Sequence, residues 1–289
     1  MMRDQPTVAM DNSALNRLAE ENNPEPIIAA MLSGSEVRVP EMAFGEAIAT
    51  PKIEKRVKLM EVCRLCVASG SSITAVHWLI DRHVKRFHDC PLRYSWRNVQ
   101  SRNFDLEKAM LSGHYHFDEA LVGEQKAEME SRQAEFEQCF PKSNRTNAFP
   151  SSFADWLAEC QVKDGSFWNT ARILYCGAFR SKDCIMIGRS LSKPPDDTAL
   201  QTFLDLCPPM KAIVYAIELT HYDRSLRQTP AMSYKAGRND QMMAVYLPYC
   251  DQFLTDDKQQ HRCLTEVASR AGIPTQVRFY DDFRSSLPI

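Results

Sequence analysis

At 289 residues, with 44% hydrophobic and 25% charged side chains, the chain has the length and composition of a folded globular protein with a substantial core, as one elaborated domain or two. A formal net charge of −2 excludes general electrostatic attraction to a polyanion, so any basic surface has to be local. No run approaches the roughly 20 apolar residues of a membrane span, and ten cysteines without a signal-peptide core read as reduced thiols, so the expectation is a cytoplasmic protein with no membrane partner.

In chain order, the apolar run Thr7-Val8-Ala9-Met10 delivers Asp11 into Asn12-Ser13 and then into a helical pattern of Leu15, Leu18 and Ala19. Asn22-Asn23-Pro24 breaks that pattern, and a second helix carries Ile27, Ile28, Met31 and Leu32 as far as Ser33-Gly34-Ser35. Val37 to Val39 reads as a short strand, with Pro40 as the first residue of a third helix. There Met42, Glu46 and Ala49 fall on one face, so Glu46 points inward among apolar neighbours and needs a partner. From about Lys52 to Leu206 the periodicity is mainly helical, with a highly charged arm at Glu124 to Glu137 and a linker pattern at Pro141 to Ser152. Pro208-Pro209 then opens a helix through Ile213, Ile217 and Leu219. Finally, a strand-like run ends in Thr255-Asp256-Asp257 just ahead of another helix. Carboxylates at the C-terminal edge of a parallel strand open onto the crevice where α/β folds bind ligands. Two such edges, at Asp11 and at Asp256-Asp257, predict one acidic site.

The stretches MDNSALNRLAE (10–20), PEMAFGEAIA (40–49) and NDQMMAVYLPYCDQFLTDD (239–257) together resemble the PIN-like nuclease domain. The family pattern has an Asp after the first strand, a Glu on a helix some thirty residues later, an Asp opening a late helix, and a Thr-x-Asp after the next strand. Asp11, Glu46, Asp240 and Asp257 take these four places in order. The resemblance covers about the first and last fifty residues. It implies an α/β three-layer fold with a central parallel sheet, built from 1–51 and 207–289 and interrupted by a predominantly helical insertion at 52–206. Compact family members have no counterpart of that insertion.

Clustered carboxylates repel unless protons or cations intervene, and oxygen-only ligands favour hard cations, Mg²⁺ or Mn²⁺ beside a phosphodiester. The expected metal ligands are Asp11, Glu46, Asp240 and Asp257, with Asp256 as the fallback, because adjacent side chains point differently. One or two ions would activate water and stabilise the leaving oxygen without a protein nucleophile. Ser13 and Thr255 are expected to orient a metal-bound water or a phosphate, Asn12 to shape the turn, and Arg238 to belong to a basic approach with Arg224, Arg227 and Lys235. The helical insertion offers further basic segments at Lys52, Lys55, Arg56 and Lys58 and at Arg82, Lys85 and Arg86. The resemblance implies a metal-dependent endoribonuclease with RNA as the favoured partner. A DNA flap or single-strand nuclease, and a catalytically idle binding or regulatory module, stand as alternatives. A homo-oligomer and a regulatory protein partner both remain open. Cys63-x-x-Cys66 followed by His83, His88 and Cys90 has the look of a zinc set, but the pair lies in a helical apolar pattern where cysteines pack as small hydrophobes.

Overall fold

A computed structural model describes residues 5–112, 119–139, 150, 152–163, 165–179, 191, 193–226 and 238–288, with backbone alone at 69, 121, 132, 135–139, 225–226 and 238–239. Five strands, β1 (Thr7–Met10), β2 (Glu36–Pro40), β3 (Ser71–Ile73), β4 (Gln252–Thr255) and β5 (Gln276–Phe279), form one sheet in the order β3-β2-β1-β4-β5, and every pair is parallel. Val8, Ala9 and Met10 are all 0% exposed. Successive strand residues face opposite ways, so this unbroken burial shows that both faces of the sheet are covered, the three-layer arrangement an all-parallel sheet requires. Phe253 and Leu254 repeat the pattern in β4, whereas β5 at the edge is only partly covered.

The sequence explains the first half of the core directly. After β1 come α1 (Asn12–Glu20), α2 (Pro24–Gly34) and, beyond β2, α3 (Glu41–Ile48). Pro24 opens α2, whose buried residues are Ile27, Ile28 and Met31. Pro40 ends β2 and precedes α3 as its cap, one residue earlier than its expected place inside that helix.

The boundary expected at residue 52 has to be corrected. The next helix, α4 (Ile53–Ser69), packs on β2, α1 and α3, and β3 follows it into the sheet, so this part of the 52–206 span belongs to the α/β core. Ser71-Ser72-Ile73 is too short and too polar to announce a strand; it becomes one because β2 supplies a parallel edge. Gly70 allows the approach. A Cβ there would stand 2.1 Å from the Val37 carbonyl oxygen and 2.7 Å from that of Cys66, both backbone atoms that cannot swing aside. Gly70→Ala is therefore expected to destabilise the fold by about 1–3 kcal/mol, seen as a lower urea midpoint. An unchanged midpoint would mean that β3 is not seated against β2 as described.

The remaining span is helical: α5 (Val76–Asp89), α6 (Phe104–Leu111), α7 (Glu119–Cys139), α8 (Phe153–Val162), α9 (Ser166–Gly177) and α10 (Asp197–Leu206). Helices α5, α8, α9 and α10 surround α11 (Pro208–Leu226), and α7 packs on α3. The charged arm is thus a helix lying against the core. The expected linker at 141–152 lies outside the described residues except for Pro150 and Ser152, and Ser152 caps α8. The short α12 (Arg238–Met242) runs into a 3-10 segment (Met243–Tyr249) that leads to β4, and α13 (Lys258–Ala271) and α14 (Tyr280–Arg284) finish the fold. Buried residues from Val8 to Phe283 make one continuous hydrophobic cluster, so insertion and core share an interior. No helix of the described residues is long and apolar enough to cross a membrane.

Candidate functional site

The chain runs outward from β1 to β2 and β3, then returns to the other side of β1 for β4 and β5. The order of strands therefore reverses between β1 and β4. In open parallel sheets that switch point leaves a crevice beyond the C-terminal strand ends, because the connecting helices depart to opposite sides. Asp11 follows β1 and Asp256-Asp257 follows β4, so both acidic strand ends reach the same crevice.

Helix capping fixes the two aspartates. Asp11 Oδ1 accepts the Ala14 N–H at 2.9 Å and the Ser13 hydroxyl at 2.7 Å, capping α1. Asp257 Oδ1 accepts the Gln259 and Gln260 N–H groups at 2.7 and 2.8 Å, capping α13. Between them, Ser13 Oγ accepts the Asp256 N–H at 2.7 Å and lies 3.1 Å from Thr255 Oγ1, which accepts the Asp257 N–H at 3.1 Å. The Asp11 N–H donates to the Leu254 carbonyl at 3.1 Å. These bonds join the two strand ends. At the opposite end of the same strands, the Asp251 carboxylate accepts the Thr7 N–H and hydroxyl at 2.7 and 2.9 Å, which makes it a strand-start residue remote from the crevice.

Asp11, Glu46, Asp240 and Asp257 line one cleft of about 180 Å³, together with Asn12, Ser13, Asn16, Met243 and Gln260. The four carboxylates expected from sequence are thereby brought together from α3, α12 and the two strand ends. Burial pushes the Asp11 carboxyl above its usual range, hydrogen bonds from Thr255, Ala14 and Ser13 oppose that shift, and the charge of Asp257 adds to it. Convergence is not yet chelation. Among the described residues no three His, Cys, Asp or Glu side chains are grouped so as to hold one ion. One oxygen each of Asp11 and Asp257 is already committed to a helix N-terminus.

Several expected roles need correction. Asp256 does not line the cleft; it turns to Arg17, its Oδ2 3.4 Å from Nε, where Asp281 also pairs at 3.3 Å. Thr255 is 0% exposed, so its hydroxyl serves the junction of the strands and cannot meet a substrate. Ser13 serves the same junction while also facing the cleft. Arg238's side chain, with Arg227 and Lys235, lies outside the described residues. In the expected basic segments Arg56 is 3% exposed and bonded to Glu119 at 2.9 Å, Lys55 pairs with Glu20 at 3.3 Å, and Lys85 pairs with Asp81 at 3.4 Å. Lys52, Lys58 and Arg86 are exposed. Cys63 and Cys66 are buried on α4, and burial pushes the Cys66 thiol up to about 12, the behaviour of packed hydrophobes rather than of thiolate ligands. His83 has both ring nitrogens taken, by the Tyr94 hydroxyl at 2.8 Å and the Tyr249 hydroxyl at 2.5 Å.

Besides Met243, two polar cleft residues escape a reading of the sequence, Asn16 and Gln260. Asn16 stands one turn beyond Asn12 on α1, a spacing that places both on one face. Asp257-Lys-Gln-Gln260 looks like an ordinary capping box, in which the fourth side chain would return to the N–H of the cap. Instead that N–H is bonded to Thr255, and Gln260 reaches across to the Asp240 carbonyl at 2.9 Å. Beyond Glu46 a second chamber of about 520 Å³ adjoins the cleft, with Met42, Phe44, Ile48, Val76 and Ile80 among its walls. Compared with known proteins, the chain matches no family model, no curated protein and no solved structure.

Proposed function

We propose that the chain is a metal-dependent phosphodiester hydrolase with a PIN-like core, acting in the cytoplasm as an endoribonuclease. The observation that carries this reading is the meeting of Asp11, Glu46, Asp240 and Asp257, spread over most of the sequence, in one cleft at the strand-order switch. The donor set fits Mg²⁺ or Mn²⁺, because the cleft offers carboxylate, amide and hydroxyl oxygens, no thiolate or imidazole, and only the weak thioether of Met243 as sulfur. Asp11, Glu46, Asp240 and Asp257 would hold such an ion. A bound ion would supply an activated water and charge neutralisation at the phosphate. The protein's own part is positional: the bonds of Ser13 and Thr255 keep the β1 and β4 ends together, and the buried side of Asp11 keeps water from one face of its carboxylate.

One observation favours the idle binding module instead. Asp11 and Asp257 both cap helices, a structural duty that accounts for an Asp at each strand end without any metal. The two readings separate in a cleavage assay of labelled RNA, single-stranded DNA and duplex DNA, each with Mg²⁺, Mn²⁺ or EDTA. Endoribonuclease action requires RNA fragments with either ion and none in EDTA. Cleavage confined to single-stranded or flapped DNA selects the DNA nuclease, and intact substrates throughout select the module.

A further inference from the structure

We propose that Gln260 is a neutral oxygen ligand of the cleft, completing with its amide carbonyl a cation shell that the carboxylates alone leave open. This rests on the reading of the cleft as a metal site and adds to it a residue outside the acidic set. Three observations converge on Gln260.

The first is burial without satisfaction. Gln260 is 3% exposed and its Oε1 has no hydrogen-bond partner, although a buried amide oxygen left unpaired is costly. The second is orientation. Nε2 is the atom that donates to the Asp240 carbonyl, since a carbonyl can only accept, so the amide cannot be turned over and Oε1 is the unpaired atom of a side chain that lines both the cleft and a small apolar cavity beside α11. The third is the company it keeps. Asn12 and Asn16, on helix α1, line the same cleft, and their Oδ1 atoms are likewise buried without partners. Three amide oxygens are thus unsatisfied around four carboxylates of which no three gather on a point.

A hard cation accounts for both facts. It accepts carbonyl and carboxylate oxygens alike, and neutral ligands let the shell close without adding to the repulsion among the acids. Sharing the work with amides also leaves the ion with more net positive charge toward a phosphate.

The test is a calorimetric titration of Mn²⁺ into the full-length protein without nucleic acid, comparing the parent with Gln260→Leu and Gln260→Glu. Leu removes both the ligand oxygen and the tie to Asp240. Glu keeps an oxygen for the ion and loses only the N–H that holds Asp240. The expected result is Mn²⁺ binding by the parent, weakened about tenfold or more by Gln260→Leu, and retained or tightened by Gln260→Glu, with all three proteins melting cooperatively in EDTA. Equal weakening by Leu and Glu would overturn the ligand role and leave Gln260 as a tether of Asp240. Parent-like binding by Gln260→Leu would overturn any role at the ion while leaving the acidic metal site intact. A parent that takes up no Mn²⁺ would remove the metal site and the Gln260 ligand together.

Discussion

Asp11→Asn and Asp240→Asn are each expected to lower metal-dependent cleavage by about a hundredfold or more, the upper end of what disturbing a metal's surroundings costs, while the metal-free proteins melt no earlier than the parent. For Asp11 the second half follows from its two duties. Asparagine caps a helix as well as aspartate, so the Ala14 N–H keeps its acceptor. The charge is the part that folding does not want. Burial and Asp257 raise the Asp11 pKa in the folded state above its unfolded value, so the native state binds the proton more readily, and at neutral pH the ionised carboxylate opposes folding. Removing the charge relieves that opposition and also removes a ligand. The parent should therefore gain melting temperature on adding Mn²⁺, by mass action on the folded state, and Asp11→Asn should gain much less. For the same reason the parent's Mn²⁺ affinity should fall as pH drops through the raised pKa of Asp11, because metal and proton compete for one carboxylate. Full cleavage by both variants, after removal of contaminating nuclease, would refute the acidic site.

Much of this site was legible because it rests on local rules. An apolar run ending in Asp before a helical pattern is at once a strand end and a helix cap, and both Asp11 and Asp257 obey it. The residues that were misread depend on contacts across the fold. Thr255 looks like a cleft hydroxyl until the parallel pairing of β1 with β4 sets it beside Ser13 as a buried clasp, with Ser13 alone of the two lining the cleft. Asp256 is distinguished from Asp257 only by Arg17, more than two hundred residues earlier in the chain. Arg56 reads as part of a solvated basic face, yet it is buried in the fold and pairs with Glu119 at the start of α7. Strand β3 was invisible for a related reason: three residues with two serines carry no periodicity, and their conformation is imposed by the edge of β2. Gln260 is the most instructive of these. Its local signature is a capping box, and only the position of Asp240 shows that the side chain is used elsewhere.

Acid should destabilise this protein through one buried histidine. His83 on α5 is 0% exposed and lies between two tyrosine hydroxyls, a site that suits the neutral ring, which offers one donor and one acceptor. The burial pushes its pKa down to about 4, below the value near 6.5 of the unfolded chain. The unfolded state therefore takes up a proton between about pH 6.5 and pH 4 while the native state does not, and stability is lost as pH falls through that window. The whole effect is on the order of 3 kcal/mol. It acts at the strand-start end of the sheet, away from the cleft, through Tyr249, which closes the 3-10 segment before β4 and whose carbonyl accepts Arg38 at 2.6 Å. Urea midpoints at pH 7.0, 5.5 and 4.5 measure the effect, with His83→Leu as the comparison. The variant will start lower at pH 7.0, because two buried hydroxyls lose a partner at about 1–3 kcal/mol each. Its midpoint should nevertheless change little down to pH 4.5, whereas the parent's should fall steadily. Parallel pH profiles for the two proteins would show that His83 ionises as freely in the folded state as in the unfolded one, and that the Tyr94-His83-Tyr249 bridge does not hold the ring neutral.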